Sequence, residues 1–374
     1  MGKIYFDNAS TTQLRSEVIH EMTKVLSTDY GNPSSTHSLG RNAKSALELS
    51  RKSIAKLINA TAPEIIFTSG ATEANNWILR SAIKNLGVKR IITSKIEHHA
   101  VLFAVQALQH EFDIQVDYVS IKANGEIDIS NLVVLLSQET KTLVSLMHVN
   151  NEIGTVLDLA TVGRICQQHR ALFHSDAVQS IGKIEINLQE IAIDFIVASA
   201  HKFHGPKGVG FAFIRKNSGL QPLFYGGEQE KGLRPGTEAV HQVVGMTKAL
   251  EISCNNLIAE RNHISDLKNY LINKLQALFP TYKINGNSEG IHTILNVLLP
   301  FSEDKTAMIV FYLDMKGIAV SRGSACQSGS TKPSHVLVEI LSEDDLKKPS
   351  LRISFSHFNT KDELNKLLVA LKGI

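Results

Sequence analysis

Short apolar runs and amphipathic stretches alternate along most of this chain. Runs rich in β-branched residues occur at EIIFT (64–68), RIITS (90–94), IQVDYV (114–119), TLVSLMHV (142–149), ALFHSD (171–176), DFIVAS (194–199) and GVGFAFI (208–214). Between them lie segments with helical spacing, at 71–86, near 99–110, near 129–138 and at 158–169. Turn-bounded apolar runs that alternate with helices predict βα units and a largely parallel sheet. From about 239 to 279 the pattern becomes mostly helical. Shorter apolar runs follow at TILNVLL (293–299), GIAVS (317–321) and LRISFS (351–356), and a last helix begins near Lys361. The expectation is a large α/β domain followed by a smaller α+β domain, with no internal repeat and no linker.

Composition narrows the class without naming a function. With 43% hydrophobic and 20% charged residues over 374 positions, the chain is neither disordered nor fibrous. Lys plus Arg number 39 against 36 acids, and no long like-charge run or basic stripe stands out, so direct nucleic-acid binding is not expected. The three cysteines, Cys166, Cys254 and Cys326, lie far apart with no C-x-x-C pair. That spacing speaks against a disulfide framework or thiolate zinc site and for a reducing compartment. MGKIYFDNAS has no basic-then-apolar leader, and no apolar run is long enough to cross a membrane. The reading is a soluble cytoplasmic protein with no membrane partner.

Ligands of open parallel sheets gather at the carboxyl ends of the strands. The residues just after these strands are polar and specific: Ser69-Gly70-Ala71-Thr72, Glu97-His98-His99, Asn150-Asn151-Glu152, Asp176 with Gln179, and Ser199-Ala200-His201-Lys202. Any one set could be a turn or a capped helix start; five sets on one rim argue for a small-molecule site. A lysine at a strand's end is usually a solvated loop residue, but a partly desolvated one, as Lys202 could be, can form a Schiff base. Asp176 could be a helix cap, or could hold a pyridinium nitrogen protonated, the partnership found in pyridoxal phosphate (PLP) sites. Ser69 to Thr72, between strand and helix, could be a plain cap or a phosphate cradle. His98 suits stacking on a flat ring with proton transfer. The paired histidines at 98–99 and at 201 and 204 have no acid or thiolate at ligand spacing, so no metal is expected. Cys326 lies in SRGSACQSGS, a polar segment that no core would select and the setting of a reactive thiol, whereas Cys166 and Cys254 read as inert helix residues.

Taken in order, YFDNASTT (5–12), GNPSSTHSLGR (31–41), FTSGATEANN (67–76), IEHHAV (96–101), MHVNNEIGT (147–155), HSDAVQSIGK (174–183), SAHKFHGPKGVG (199–210), LRPGT (233–237) and SRGSACQSG (321–329) resemble one family. It is the PLP-dependent cysteine desulfurases of the class V branch of the aspartate aminotransferase fold (fold type I), in the long-loop NifS/IscS-like group. The resemblance implies a large domain over 15–255, with a mixed, mostly parallel sheet. A small α+β domain would comprise 1–14 and 256–374 and carry the cysteine loop. It also implies that Lys202 bears the cofactor, His98 stacks on its ring, Asp176 pairs with the ring nitrogen, and Gln179 and Asn151 lie by the phenolic oxygen. Gly70, Ala71, Thr72, Ser199 and His201 would hold the phosphate, with Thr237 reaching across from a second subunit of a homodimer. Arg352 would grip the substrate carboxylate, near Asn8, Asn32 and Asn151. L-cysteine would be converted to L-alanine, with Lys202 and His98 moving protons. Sulfur would pass to Cys326 as a persulfide, then to a protein acceptor such as an iron–sulfur scaffold or a tRNA thiolation protein. A transaminase or epimerase would need no such thiol; a selenocysteine lyase would use the same residues. A non-catalytic scaffold would be expected to lose Lys202, Asp176 or Cys326, and all three are present. Three departures touch the acceptor and leave the chemistry intact: Glu228 in GGEQE where glycine is usual, His357 where arginine is common, and an end at Ile374 soon after the last helix.

Overall fold

The computed structural model describes residues 3–323 and 333–374, so Cys326 lies outside the described residues. Seven strands form the central sheet: β2 (Ile65–Thr68), β3 (Arg90–Thr93), β4 (Gln115–Tyr118), β5 (Thr142–Ser145), β6 (Leu172–Asp176), β7 (Phe195–Ser199) and β8 (Gly210–Ile214). Their order is β2-β8-β7-β6-β5-β3-β4, and only β8 runs against the rest. All but β4 are buried along their whole length or nearly so, which is why they read as continuous apolar runs.

Alternate side chains of each strand face opposite layers. Ile66, Leu143, Phe195, Val197 and Ala212 pack under α3 (Ala71–Lys84) and α4 (His99–Phe112). Ile65, Val144, Phe173, Ile196 and Phe211 face the other layer. That layer holds α1 (Ser16–Thr28), α2 (Ser38–Leu57), α5 (Ile129–Leu136), α6 (Leu159–Gln168) and α7 (Val240–Asn255). Asp128 and Asp158 cap α5 and α6, each carboxylate accepting from two backbone N–H groups.

A second unit surrounds a three-stranded antiparallel sheet, β12-β10-β9, made of β9 (Lys283–Ile284), β10 (Ile294–Leu298) and β12 (Ser350–Ser354). Its apolar cluster joins α8 (Leu257–Leu278), α9 (Glu303–Met315) and α12 (Lys361–Lys372) to Ile4 and Phe6. β1 (Ile4–Tyr5) pairs in parallel with β11 (Ile318–Ala319), and Asp7 bridges to Ser354. The N-terminus thus starts in the second unit and runs onto the rim of the large sheet, where Thr12 N donates to His201 O at 2.9 Å. No helix among the described residues is long and apolar enough to cross a membrane.

Three long helices, α1, α2 and α9, and two short ones, His335–Val338 and Glu343–Lys347, went unread from the pattern. The buried face of α2 comprises Gly40, Ala43, Leu47, Ser50, Arg51, Ile54 and Ala55, and all of these except Leu47 and Ile54 are small or polar. Arg51 is accepted there because its guanidinium pairs with Glu230 at 2.6 Å and stacks 4.5 Å over the Phe67 ring. In α9 the unbroken run MIVFYL hides any helical period. The run 142–149 is regular strand only to Ser145. Beyond it, Leu146 N and His148 N still donate to His174 O and Asp176 O beside β6. The chain then turns at Asn150, whose side-chain oxygen accepts from Glu152 N and Ile153 N.

Candidate active site

At the end of β2, Gly70 caps α3 with φ 150° and ψ −178°, a conformation open essentially to glycine alone. The first-turn N–H groups of α3 have no acceptor within the helix, and they point out of its positive end. Ser199, ending β7, brings its hydroxyl to 3.5 Å from where a Cβ on Gly70 would lie. Gly210 opposite is equally required, because a Cβ there would come within 2.3 Å of Ala198 O and 2.9 Å of Gly70 Cα. Outside this turn, Arg234 pairs with Glu73 at 2.9 Å, and Glu73 also accepts from Ser69 N at 3.0 Å. His201 shares a 3.1 Å hydrogen bond with Thr11 Oγ1. Burial, with the Lys202, Lys207 and Lys183 charges, pushes His201 down to about 3, so it serves as a neutral polar group.

Lys202 ends the 3₁₀ turn that follows β7. Its Nζ donates to Ala9 O at 2.7 Å and Ser10 O at 2.8 Å. Gln179 Nε2 donates to the same Ala9 carbonyl at 2.8 Å, and Gln179 Oε1 accepts from Lys183 Nζ at 2.9 Å. Asp176, at the tip of β6, is held at both oxygens: Oδ2 accepts from Asn75 Nδ2 at 2.8 Å and Oδ1 from Val178 N at 3.1 Å. His98 is the N-cap of α4, its Nδ1 accepting from Ala100 N at 3.1 Å. That bond leaves the proton of the neutral ring on Nε2. Burial lowers the His98 pKa against the opposing pull of Asp176, with Lys202 and His335 adding to the lowering.

Arg352, in β12, reaches the rim from the second unit. Its Nη1 donates to Asn151 O at 2.9 Å, and its Nη2 to Asp7 Oδ1 at 2.8 Å and Ser10 Oγ at 2.7 Å. Its Nε is buried and has no hydrogen-bond partner among the described residues. These groups border one cavity of about 470 Å³, lined by Gly70, Ala71, Thr72, His98, Asn151, Asp176, Gln179, Ser199, His201, Lys202 and Arg352 among others. The arrangement presents a helix N-terminus, a fixed carboxylate, a neutral imidazole, a lysine amine and a guanidinium to a single small molecule.

Residues 4–367 match the model of the class-V aminotransferases. The chain belongs to this family. Among class-V relatives, it is 39% identical over 375 residues to the cysteine desulfurase IscS of Dictyoglomus turgidum, covering all of this chain and 94% of the relative. It is 38% identical over 378 residues to the cysteine desulfurase IscS of Mannheimia succiniciproducens, covering 99% of this chain and 92% of the relative. A NifS-like protein of known structure superposes with TM-score 0.90 at 35% identity, over 99% of this chain and 98% of its own. The structure of SspA in complex with cysteine superposes with TM-score 0.84 at 32% identity, over 96% of this chain and all of its own. The sheet order and the class-V match agree on the PLP-dependent transferase fold type I expected from the sequence.

Within this class-V chain, three of the expected site residues stand apart from the cavity lining. Asn8 turns away, its amide donating to Ser354 O at 2.9 Å and Tyr5 O at 3.3 Å. Asn32 is exposed and its Oδ1 accepts from Ser34 N, while Thr237 is exposed and also outside the lining. Cys326 lies beyond the described residues. Conversely, the pattern gave no reason to select the Ala9 and Ser10 carbonyls or Asn75. All three hold a predicted site residue from a distance in sequence, although YFDNASTT and FTSGATEANN contain them.

Proposed function

We infer that this protein is a PLP-dependent cysteine desulfurase that converts L-cysteine to L-alanine and passes the sulfur to its own Cys326. The observation that carries the reading is the convergence of Lys202, Asp176, His98, Arg352 and the α3 N-terminus on one cavity, in a chain whose full-length relatives bear that name.

The residues present fit pyridoxal phosphate. Its phosphate needs N–H donors and close backbone approach, which the Cβ-free, glycine-only turn at Gly70 supplies with Ala71, Thr72, Ser199 and His201. Its ring nitrogen needs a carboxylate that cannot turn away, and Asn75 and Val178 N hold Asp176 in place. When bound, the cofactor supplies an aldehyde for the amine and a ring that draws electrons from the α-carbon.

The remaining work belongs to the protein. Lys202 Nζ is the base that takes and returns the α-proton, oriented by the Ala9 and Ser10 carbonyls. His98, kept neutral by burial, stacks on the ring and assists the proton's movement. Gln179 and Asn151, both in the cavity lining, would hold the cofactor at its phenolic oxygen. Arg352 binds the substrate carboxylate through its fork of donors, in which the buried Nε still lacks a partner among the described residues. The Cys326 thiolate attacks the substrate sulfur, giving a persulfide and releasing alanine. Burial pushes the Cys166 thiol up to about 12 and the Cys254 thiol to about 11, which leaves Cys326 as the reactive thiol of the three.

The exposure of Thr237 outside its own cavity supports a homodimer in which it reaches the partner's phosphate. Free, scattered cysteines fit a cytoplasmic enzyme. The acceptor is read as a protein of iron–sulfur assembly or tRNA thiolation.

The test is alanine released from L-cysteine with a thiol reductant present, by the wild type and by Cys326→Ala in parallel. The expected result is alanine with matching sulfide from the wild type alone, with the variant retaining its yellow cofactor. Equal alanine from both would defeat the persulfide mechanism. No alanine from a yellow wild type would leave only the fold.

A further inference from the structure

The MHVNNEIGT segment gives Asn151 to the cavity, and the next residue serves a separate purpose. Glu152 is fully buried. Its Oε2 accepts from Ser334 Oγ. A Cβ built on Gly323 would sit 3.2 Å from the same oxygen and 3.5 Å from Ser334 Cβ. Gly323 and Ser334 flank the segment that holds Cys326, one on each side, so one stem is bonded to this carboxylate and the other lies close beside it.

Each stem is also tied to the rim. Before the segment, Ser321 exchanges backbone hydrogen bonds with Arg352, at 3.3 and 2.7 Å, and its Oγ donates to Asp7 Oδ1 at 2.8 Å. After it, the His335 ring lies with Nε2 2.9 Å from the carbonyl of Glu97, the residue before His98. Val336 and Leu337 pack with Ile96 and Ile153. Among the described residues Glu152 Oε1 has no hydrogen-bond partner, an arrangement that buried carboxylates rarely keep without cause.

We propose that Glu152 is a positioning residue for the attacking thiol: its buried carboxylate clamps both stems of the Cys326 segment at a fixed place beside the substrate end of the cavity. The inference rests on the desulfurase reading. Consecutive residues then do paired jobs, since Asn151 O holds the Arg352 guanidinium while Glu152 holds the base of the segment that must deliver sulfur chemistry to the same substrate. Fixing that base raises the frequency of productive encounters without touching either reactant.

The test compares holoenzyme carrying Glu152→Ala, Glu152→Gln or Ser334→Ala with the wild type. Three quantities are measured: kcat and KM for alanine release, the absorbance response of the bound cofactor to L-cysteine, and iodoacetamide alkylation of Cys326 followed by peptide mass spectrometry. For Glu152→Ala the expected result is a fall in kcat of about tenfold or more, with KM and the cofactor response within about twofold. Cys326 alkylation should change by about threefold or more in the same variant. Glutamine keeps an oxygen that accepts from Ser334 and should restore most of kcat; Ser334→Ala should fall between. A folded Glu152→Ala enzyme with wild-type kcat overturns the clamp, as does a glutamine variant as slow as the alanine one. If Glu152→Ala does not fold, the glutamine and Ser334→Ala variants decide by the same criteria. If the wild type makes no alanine, the desulfurase reading fails, and the alkylation rates alone judge the clamp.

Discussion

Lys202 owes its position to carbonyls far away in sequence. Ala9 O and Ser10 O accept its Nζ protons across about 190 residues, so the amine is aimed before any substrate arrives. On the proposed function, a lysine placed this way would serve as both attachment point and proton carrier. Its removal should cost more than the roughly 10² to 10⁴ of a lost general base alone. Lys202→Ala is therefore expected to show no measurable alanine release; turnover near wild type would remove Lys202 from the mechanism. His357 makes a different residue-scale point. Arg15 Nη1 lies 3.1 Å from its Nε2, while Arg15 Nη2 binds Glu260 at 2.8 and 2.9 Å. Burial and the Arg15 charge push His357 down to about 4, which keeps it a neutral acceptor. An arginine there, as the family resemblance leads one to expect, would set two guanidinium groups against each other.

At the scale of the element, α3 does two jobs at once. Its N-terminal residues Gly70, Ala71 and Thr72 line the cavity, where the proposed function seats the phosphate, and Asn75, one turn in, grips the Asp176 carboxylate. Both depend on the entry angle that Gly70 permits. An alanine at 70 must hold a glycine-only conformation, at a cost of about 1–3 kcal/mol, or tilt the first turn of the helix. Gly70→Ala should fold, with a lowered melting temperature, and should lose pyridoxal phosphate on gel filtration as read by visible absorbance. Full retention of cofactor would show that the α3 turn does not form the phosphate cradle.

For the whole molecule, burial of titratable groups sets the dependence of stability on pH. Burial pushes His174 and His204 down to about 3 and His148 to about 4. Between about pH 6.5 and pH 4 the unfolded chain binds protons at these sites that the folded chain refuses, so stability falls as pH falls through that window. Glu97 acts with the opposite sign. Burial raises it to about 8, so the folded chain holds its proton where the unfolded chain has lost it, and this contribution weakens as pH rises from about 4.5 to 8. Three histidines outweigh one glutamate on the acid side. Melting temperatures measured from about pH 7 down to 5 should fall steadily, and a flat profile would mean that these rings are solvated. The Arg51–Glu230 pair adds a tie between α2 and the segment leading to Arg234.

The sequence by itself determined the parallel sheet, because strands buried on both faces must be short continuous apolar runs. It also determined the rim of the site, because the polar residues that follow such runs fall at the strands' carboxyl ends. Gly70, His98, Asp176, Ser199 and Lys202 were all legible for that local reason. Tertiary structure decided what local pattern cannot carry. Asn8, in YFDNASTT, turns to Ser354 and Asn359, and its neighbours Ala9 and Ser10 give backbone carbonyls, which no side-chain motif announces. The α2 helix was hidden because its buried face contains an arginine that makes sense only beside Glu230, 179 positions on. The approach of Gly323 and Ser334 to Glu152 is of the same kind. A carboxylate in a loop reads as solvated until the fold brings two distant stems against it and removes the water.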